Sequence, residues 1–355
     1  MIKTTILNTA GAISSLNQKY ADLAKHRWDR LTKPRGSLGR LEDIVCQIAA
    51  IRENVSVNVA KKQVYIFAGD HGVAAEGVSA YPQEVTPQMV LNFLQGGAAI
   101  NALSNQVGAE VKVIDVGVKH NFNGLAGLIH KKVRPGTRNF IAGSAMTEAE
   151  ASAAIGVGLE LAQYASAEGV DLIATGEMGV GNTTASSAIA AALMKCDVEA
   201  VTGLGAGLTD TAKKHKIDII KQALAVNRER LTDPFNILAA LGGLEIAGLC
   251  GLIIGGALHR IPMMIDGFIA SAAALVAIKL NPAIQDFLIF AHQSKEPGHR
   301  LLLQHIGAKP ILDLEMRLGE GSGAALAMSI VAAAVKLYSE MATFEEAQVS
   351  GKRDA

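Results

Sequence analysis

The 355-residue sequence predicts an α/β protein: a doubly wound, mostly parallel sheet with helices on both faces, plus a small helical domain formed by both termini. Three observations carry this expectation. Short β-branched runs each end in a glycine-rich turn and then give way to an alanine-rich helical stretch, the alternation that builds βαβ units. The runs are continuously apolar rather than alternating, as strands buried on both faces must be. The two ends, residues 1–30 and roughly 308–350, read as helices without strands.

In chain order, QVYIFAGDHG (Gln63–Gly72) reads as a strand and turn, and KVIDVG (Lys112–Gly117) as a second. Thr147 and Glu150 form a capping-box pattern ahead of ASAAIGVGLELAQYA. DLIATGEMGVGN (Asp171–Asn182) is a third strand, leading into the helix NTTASSAIAAALM with Asn182 as a candidate cap. PMMIDG (Pro262–Gly267) and DFLIFAHQS (Asp286–Ser294) are the fourth and fifth, followed by helices at FIASAAALVAI and near PGHRLLLQHIG. AALAMSIVAAAVKLYSEM (Ala324–Met341) reads as a helix made to pack on others, and the tail EEAQVSGKRDA as frayed. The expected division is a large α/β nucleotide-binding domain over 31–305, with 1–30 and 306–355 meeting in the helical domain.

Composition narrows the function. The 33 basic and 33 acidic residues cancel, and aromatics are 4%, so neither a basic stripe nor a base-stacking surface for nucleic acid is present. Cys46, Cys196 and Cys250 lie far apart with no CxxC, which reads as reduced thiols rather than a disulfide framework or a zinc site. The N-terminal stretch has no continuous apolar core of a leader, so a cytoplasmic protein is expected. Ile237 to Leu258 is long and apolar enough to pose the membrane question. Glu245 in its middle and its recurrent glycines favour a buried helix, and no membrane is expected.

In an open parallel sheet, ligands bind beyond the carboxyl ends of the strands. Unusual residues gather at those turns: Asp70 and His71, Asp115, Glu177 and Asn182, Asp266, and His292 to Ser294. GEMGVGNTT is a candidate phosphate cradle, in which Gly179, Gly181, Asn182 and Thr183 offer backbone N–H groups and a helix start. Asn182 stands where a P-loop requires lysine, which argues against nucleoside-triphosphate hydrolysis. GLGAGL, with Gly203 and Gly205, is a weak dinucleotide fingerprint but a plausible second anion contact, and Lys213, Lys214, His215 and Lys216 follow it. In RLGEGSGAALA, Glu320 lies between Gly319 and Gly321 ahead of an apolar helix. It is either a first-turn carboxylate complementing a helix dipole or a general base raised into range by an apolar pocket. Tyr81 and Met89 suit an aromatic-sized pocket, and Ser79 and Gln88 offer hydrogen bonds there; loop packing is the other reading. Asp70 and His71 lack a third ligand, so a structural or substrate-orienting role fits better than a metal. No metal and no cofactor are expected.

The blocks LTKPRGSLGRLE, FAGDHGVAAEGVSAYPQEVT, GEMGVGNTT, IDGFIASAAAL, SKEPGH and MRLGEGSGAAL occur in this order over nearly the whole chain. Together they resemble the nicotinate-nucleotide:dimethylbenzimidazole phosphoribosyltransferase family. The resemblance implies transfer of phosphoribose from nicotinate mononucleotide to 5,6-dimethylbenzimidazole by a homodimer whose partner helps to close the site. It makes Glu320 the general base and Glu177 the acidic residue of the GEMGxGN block. Gly203, Gly205, Lys216, Asp266 with Gly267, and Ser294 fall in blocks associated with the nicotinate nucleotide, beside the cradle residues. Ser79, Tyr81, Gln88 and Met89 border the benzimidazole. Leu204 and Thr209 depart from the pattern, where an arginine and an acidic residue are usual. A dinucleotide-binding oxidoreductase and a non-catalytic nucleotide sensor are the competing readings; the first lacks a strand-borne G-x-G-x-x-G turn. The base itself stays open among dimethylbenzimidazole, adenine and phenols, because an apolar pocket separates methyl groups by only about 1–3 kcal/mol.

Overall fold

The computed structural model describes residues 2–350 apart from 206 and 208, so the last residues of the expected frayed tail lie outside the described residues. The first helices are α1 (Lys3–Gly11), α2 (Gln18–Arg30) and α3 (Arg40–Arg52), ahead of strand β1 (Lys62–Gly69). α4 (Val85–Leu94) and α5 (Ala99–Val107) lead to β2 (Ala109–Gly117) and β3 (Leu128–His130), and α6 (Glu148–Ala167) leads to β4 (Leu172–Met178). Five helices follow β4: α7 (Asn182–Met194), α8 (Val198–Val201), α9 (Asp210–Val226), α10 (Pro234–Leu241) and α11 (Leu244–Leu258). β5 (Met263–Ile265), α12 (Phe268–Leu280), β6 (Leu288–Phe290), α13 (Pro297–His305) and α14 (Ser322–Glu340) complete the chain.

The strands form one sheet in the order β3-β2-β1-β4-β5-β6, and every neighbouring pair is parallel. The chain starts in the middle, winds to one edge, returns to lay β4 beside β1 and winds to the other edge. This is the expected doubly wound sheet. β1 shows why it is buried on both sides: Tyr65 and Phe67 enter one apolar cluster, and Val64, Ile66 and Ala68 enter the other. The first cluster holds α6, α7, α10, α11 and α12; the second holds α3, α5 and α14. β3 escaped the sequence reading because it is a short edge strand that runs from buried Leu128 to exposed His130, without the apolar flanks that announce the equally short β5 and β6.

Two other expectations change. Ile237 to Leu258 is not one helix: the chain breaks at Gly242 and Gly243 into α10 and α11. Both are buried, and α11 is apolar all round because the sheet lies on one side and helices on the others. Residues 308–318 are irregular rather than helical, and a turn follows at 319–321. Pro310 interrupts any helix there, and the segment pairs beyond β6, with Ile311 and Leu312 donating to the Phe290 and Ala291 carbonyls at 3.0 and 2.9 Å. Among the described residues, α14 is the helix long and apolar enough to cross a membrane, yet Ala324, Met328, Val331 and Val335 are buried in the second cluster.

The chain ends meet where Arg27 donates to the Tyr338 carbonyl at 3.1 Å and Leu31 bridges Thr343. α1 is seated elsewhere, its Ile6 and Ala10 in the first cluster with α6, α11 and α12. The division into a 31–305 domain and a terminal helical domain is thus a proposal about folding units.

The tightest helix contact is α6 on α11. A Cβ at Gly158 would collide with the Gly248 carbonyl, and one at Gly251 with the Ile155 carbonyl. The substitution Gly251→Ala forces the backbones apart and is expected to cost about 1–3 kcal/mol. A lower urea midpoint at unchanged slope is the readout.

Candidate active site

β1 and β4 lie side by side, and the chain leaves their carboxyl ends in different directions. A crevice opens there, as doubly wound sheets require. Helices α7, α12, α13 and α14 all begin at it: Gly181, Gly267 and Glu296 are the N-caps of the first three and line the cleft, and Glu320 lines it just ahead of the Gly321 cap of α14. Four converging helix N-termini make this end of the sheet electropositive without a single side-chain charge.

Against that background stands a cluster of acids. Gly319, Glu320 and Gly321 have φ of 85°, 65° and 86°, so a non-glycine residue sits in the left-handed region between two glycines. Glycine is required on each side: a Cβ at Gly319 would strike Glu177 Oε1, and one at Gly321 would lie 2.9 Å from Val64 Cγ1. The turn is pinned from two directions. Asp266, at the end of β5, accepts from the N–H groups of Gly321 at 3.3 Å and Ala324 at 2.9 Å. Glu177, at the end of β4, accepts from the Glu320 N–H at 3.4 Å through Oε1 and from Asn182 Nδ2 through Oε2. Asn182 is therefore the first residue of α7 and a partner of Glu177, not the expected cap. That position falls to Gly181, at φ 96°.

Glu320 is 7% exposed, and its Oε2 has no hydrogen-bond partner among the described residues. Burial, reinforced by the nearby Asp266 carboxylate, pushes its pKa up to about 7. Glu177 is pushed further, to about 8, by burial and by the charges of Asp266, Glu245 and Glu320. Two buried carboxyls in one cleft, both raised toward neutral pH, mark it as a candidate site for proton transfer.

The sequence-predicted residues divide into three groups. Glu320, Glu177, Gly179, Gly181, Asn182 and Thr183 line the cleft. So do Gly205, Gly267, Ser294, Ser79 and Tyr81. Lys216, Gly203 and Asp266 stand behind its wall. Lys216 is fully buried, and its Nζ donates to Thr183 Oγ1 at 2.8 Å; burial lowers its pKa to about 8 against the opposing pull of Glu296. Gln88 is exposed on α4 and Met89 packs into the second cluster, so neither reaches the cleft in this chain. Val78 and Val85 take that wall with Ser79 and Tyr81.

Arg317, Glu296 and Leu318 line the cleft without having been singled out from the sequence, and His292, noted at its strand end, joins them. Arg317 donates from Nη1 to the Gly205 carbonyl at 3.0 Å. Arg317 and Leu318 carried a signal in their place in the MRLGEGSGAAL block, and Glu296 in SKEPGH. Leu204, where an arginine was expected, is 41% exposed, and Thr209 caps α9 by accepting from the Ala212 N–H at 3.3 Å. Asp70 and His71 form part of the cleft's support. Asp70 accepts from the Lys119 N–H at 2.8 Å, and His71 Nε2 meets Glu245 Oε1 at 2.6 Å with both side chains fully buried.

Residues 13–349 match the profile of the family DBI_PRT, described as phosphoribosyltransferase. A protein of Geobacter sp. (strain M21), named nicotinate-nucleotide–dimethylbenzimidazole phosphoribosyltransferase, is 55% identical over 338 residues, 95% of this chain and 97% of its own. A protein of the same name from Chlorobaculum tepidum is 51% identical over 343 residues, 97% of each chain. The crystal structure of CobT from Thermus thermophilus superposes with a TM-score of 0.89 at 45% identity, covering 94% of this chain and 99% of that one.

Because Asp266 adds to the raised pKa of Glu320, the substitution Asp266→Asn is expected to move the Glu320 titration below about 7. Carbon-13 NMR of glutamate-labelled protein reads it directly. An unchanged midpoint in the folded variant refutes the coupling.

Proposed function

This chain belongs to the phosphoribosyltransferase family DBI_PRT, and from that premise we propose that it moves 5-phosphoribose from nicotinate mononucleotide to 5,6-dimethylbenzimidazole. The products are nicotinate and α-ribazole 5′-phosphate, the unit of the cobalamin lower ligand. The observation that supports this best is Glu320: a buried carboxyl with a free oxygen, held in a left-handed turn at the meeting point of four helix N-termini.

The glycosidic nitrogen of nicotinate mononucleotide is a pyridinium nitrogen. When the C1′–N bond breaks, its electron pair returns to the ring, and nicotinate leaves without needing a proton. A benzimidazole nitrogen forms the new bond to C1′ from the opposite face, so the β configuration inverts to α. As that bond forms, positive charge spreads over the benzimidazole and its second N–H becomes acidic. Glu320 takes this proton and stabilises the charge before it is lost. Glu177, raised in the same direction by burial and the neighbouring acids, holds the Glu320 turn as the second acid of the site.

The cradle at α7 fits the phosphate. The start of α7 points its dipole at it, and Lys216 and Arg317, both next to Gly205, supply charge. A lysine whose pKa burial lowers to about 8 regains a firm proton once a phosphate dianion arrives. Ser79, Tyr81 and Val85 suit the flat face of the incoming base. Fixing the sugar between two rings supplies acceleration by orientation. We also propose a cytoplasmic homodimer. Tyr81 and Leu318 line the cleft yet are 53% and 56% exposed, which suits a partner that covers the mouth.

Glu320→Gln is expected to fold normally and lose about 10²–10⁴-fold in turnover, read as nicotinate release. In the unsubstituted protein kcat/KM is expected to rise with pH and level off above about 7, since the base must first lose its proton. A flat profile between pH 5 and 9, or full turnover in Glu320→Gln, removes Glu320 from this role.

A further inference from the structure

Glu296 is an anomaly in a cleft built for an anion. It is the N-cap of α13, yet its side chain makes no capping hydrogen bond, and its own amide donates to Ser294 Oγ at 3.3 Å. The carboxyl lines the cleft, is 6% exposed, and its Oε2 has no hydrogen-bond partner among the described residues. The backbone just behind the lining is shaped around it, since a Cβ at Gly203 would overlap Oε2. Gly203, expected as a nucleotide contact, is thereby a glycine that makes room for Glu296. A buried carboxylate with an idle oxygen is costly unless a donor arrives to satisfy it.

The donor has to be neutral and hydroxylic. A phosphate oxygen beside Glu296 adds repulsion, and the rings at either end of the reaction present flat faces. Between the cradle at Thr183 and Gly205 and the base at Glu320, the cleft holds the sugar. Glu296 shares that stretch of wall with Ser294 and Gly267. We propose that Glu296 reads the ribose, its carboxylate accepting hydrogen bonds from the 2′- and 3′-hydroxyls and so making the enzyme select ribonucleotide over deoxyribonucleotide. Two vicinal hydroxyls match two carboxylate oxygens, the same chemistry by which an acidic residue holds a ribose in dinucleotide sites. Coulomb attraction to Lys216 is the competing role for the same side chain, and it predicts a different outcome.

This inference rests on the proposed reaction, so the experiment separates the two. Nicotinate release with dimethylbenzimidazole is measured for nicotinate mononucleotide and for its 2′-deoxy counterpart, with the unsubstituted protein, Glu296→Gln and Glu296→Ala. The unsubstituted protein is expected to prefer the ribonucleotide in kcat/KM by about 10–100-fold, the range of a hydrogen bond to a charged group. In Glu296→Ala the ribonucleotide falls by about that factor while the deoxy substrate changes little, so the ratio approaches one. Glu296→Gln, which keeps shape and one acceptor, lies between and decides the matter if the alanine variant is unstable. The proposal is overturned if the unsubstituted protein does not discriminate. It is also overturned if both substrates fall together, the behaviour of a mere counter-charge for Lys216. No nicotinate release from either substrate by the unsubstituted protein sinks the reaction itself instead.

Discussion

Three carboxyl groups share one glycine turn, and the rest of the site is arranged to make that tolerable. Glu177, Asp266 and Glu320 lie too close, and too deep, to be ionised together without cost. Asp266 commits both oxygens to amides at the start of α14, and Glu177 commits both to Asn182 and the Glu320 N–H. Only Glu320 keeps an oxygen free. Fixed geometry thus selects which of three chemically similar acids does chemistry. The folded-state pKa values of Glu320 and Glu177 lie above the ordinary 4.5, so the stability they contribute is complete below that value. It is lost as pH rises through about 7 and 8. The form with a competent base is the less stable form.

The sheet explains how such a cluster is accommodated. Each parallel strand feeds a helix, so the carboxyl edge collects helix N-termini, and the switch between β1 and β4 leaves a gap where they converge. Their partial positive charges offset the acids from below while the phosphate cradle faces up. Side-chain cations are few and anchored: Lys216 on Thr183, Arg317 on the Gly205 carbonyl. Arg317 stands beside the segment where Leu204 replaces a usual arginine, so positive charge reaches Gly205 from the other side of the cleft.

The sheet was legible because its strands are buried on both faces and betray themselves as unbroken apolar runs ending in glycine. β1, β4 and β5 follow that pattern, β2 reaches its glycine after a charged first half, and β6 is an apolar run that leads into His292 instead, whereas β3 ends at an exposed edge. Glu320 was legible because a carboxylate flanked by glycines has little local purpose, and Glu177 because it stands in the GEMGVGNTT block at a strand end. Glu296 was not. SKEPGH reads as a helix start, and only the fold reveals that its carboxyl is left idle opposite Gly203. Gln88 and Met89 mark the opposite limit. Their block was recognisable, but α4 turns one to solvent and the other into the core.

The two walls of the cleft are mechanically one object. Thr86 Oγ1 accepts from the Val180 N–H at 3.1 Å, tying the segment that carries Ser79, Tyr81 and Val85 to the phosphate cradle. Gln83 donates to the His71 carbonyl at 3.2 Å, and His71 is locked to Glu245 beneath. A Cβ at Gly243 would overlap both members of that pair, so the break between α10 and α11 is where the sheet's floor reaches the loop. Glu245 therefore has two effects at once. It keeps an apolar segment from being a simple core helix, and its charge helps hold the proton on Glu177. The wall at Ser79, Tyr81 and Val85, the glycine turn ahead of α7 and the raised pKa of Glu177 are thus linked through one buried contact chain. The exposed faces of Tyr81 and Leu318 are the side of the cleft that this chain of contacts leaves for something else to close.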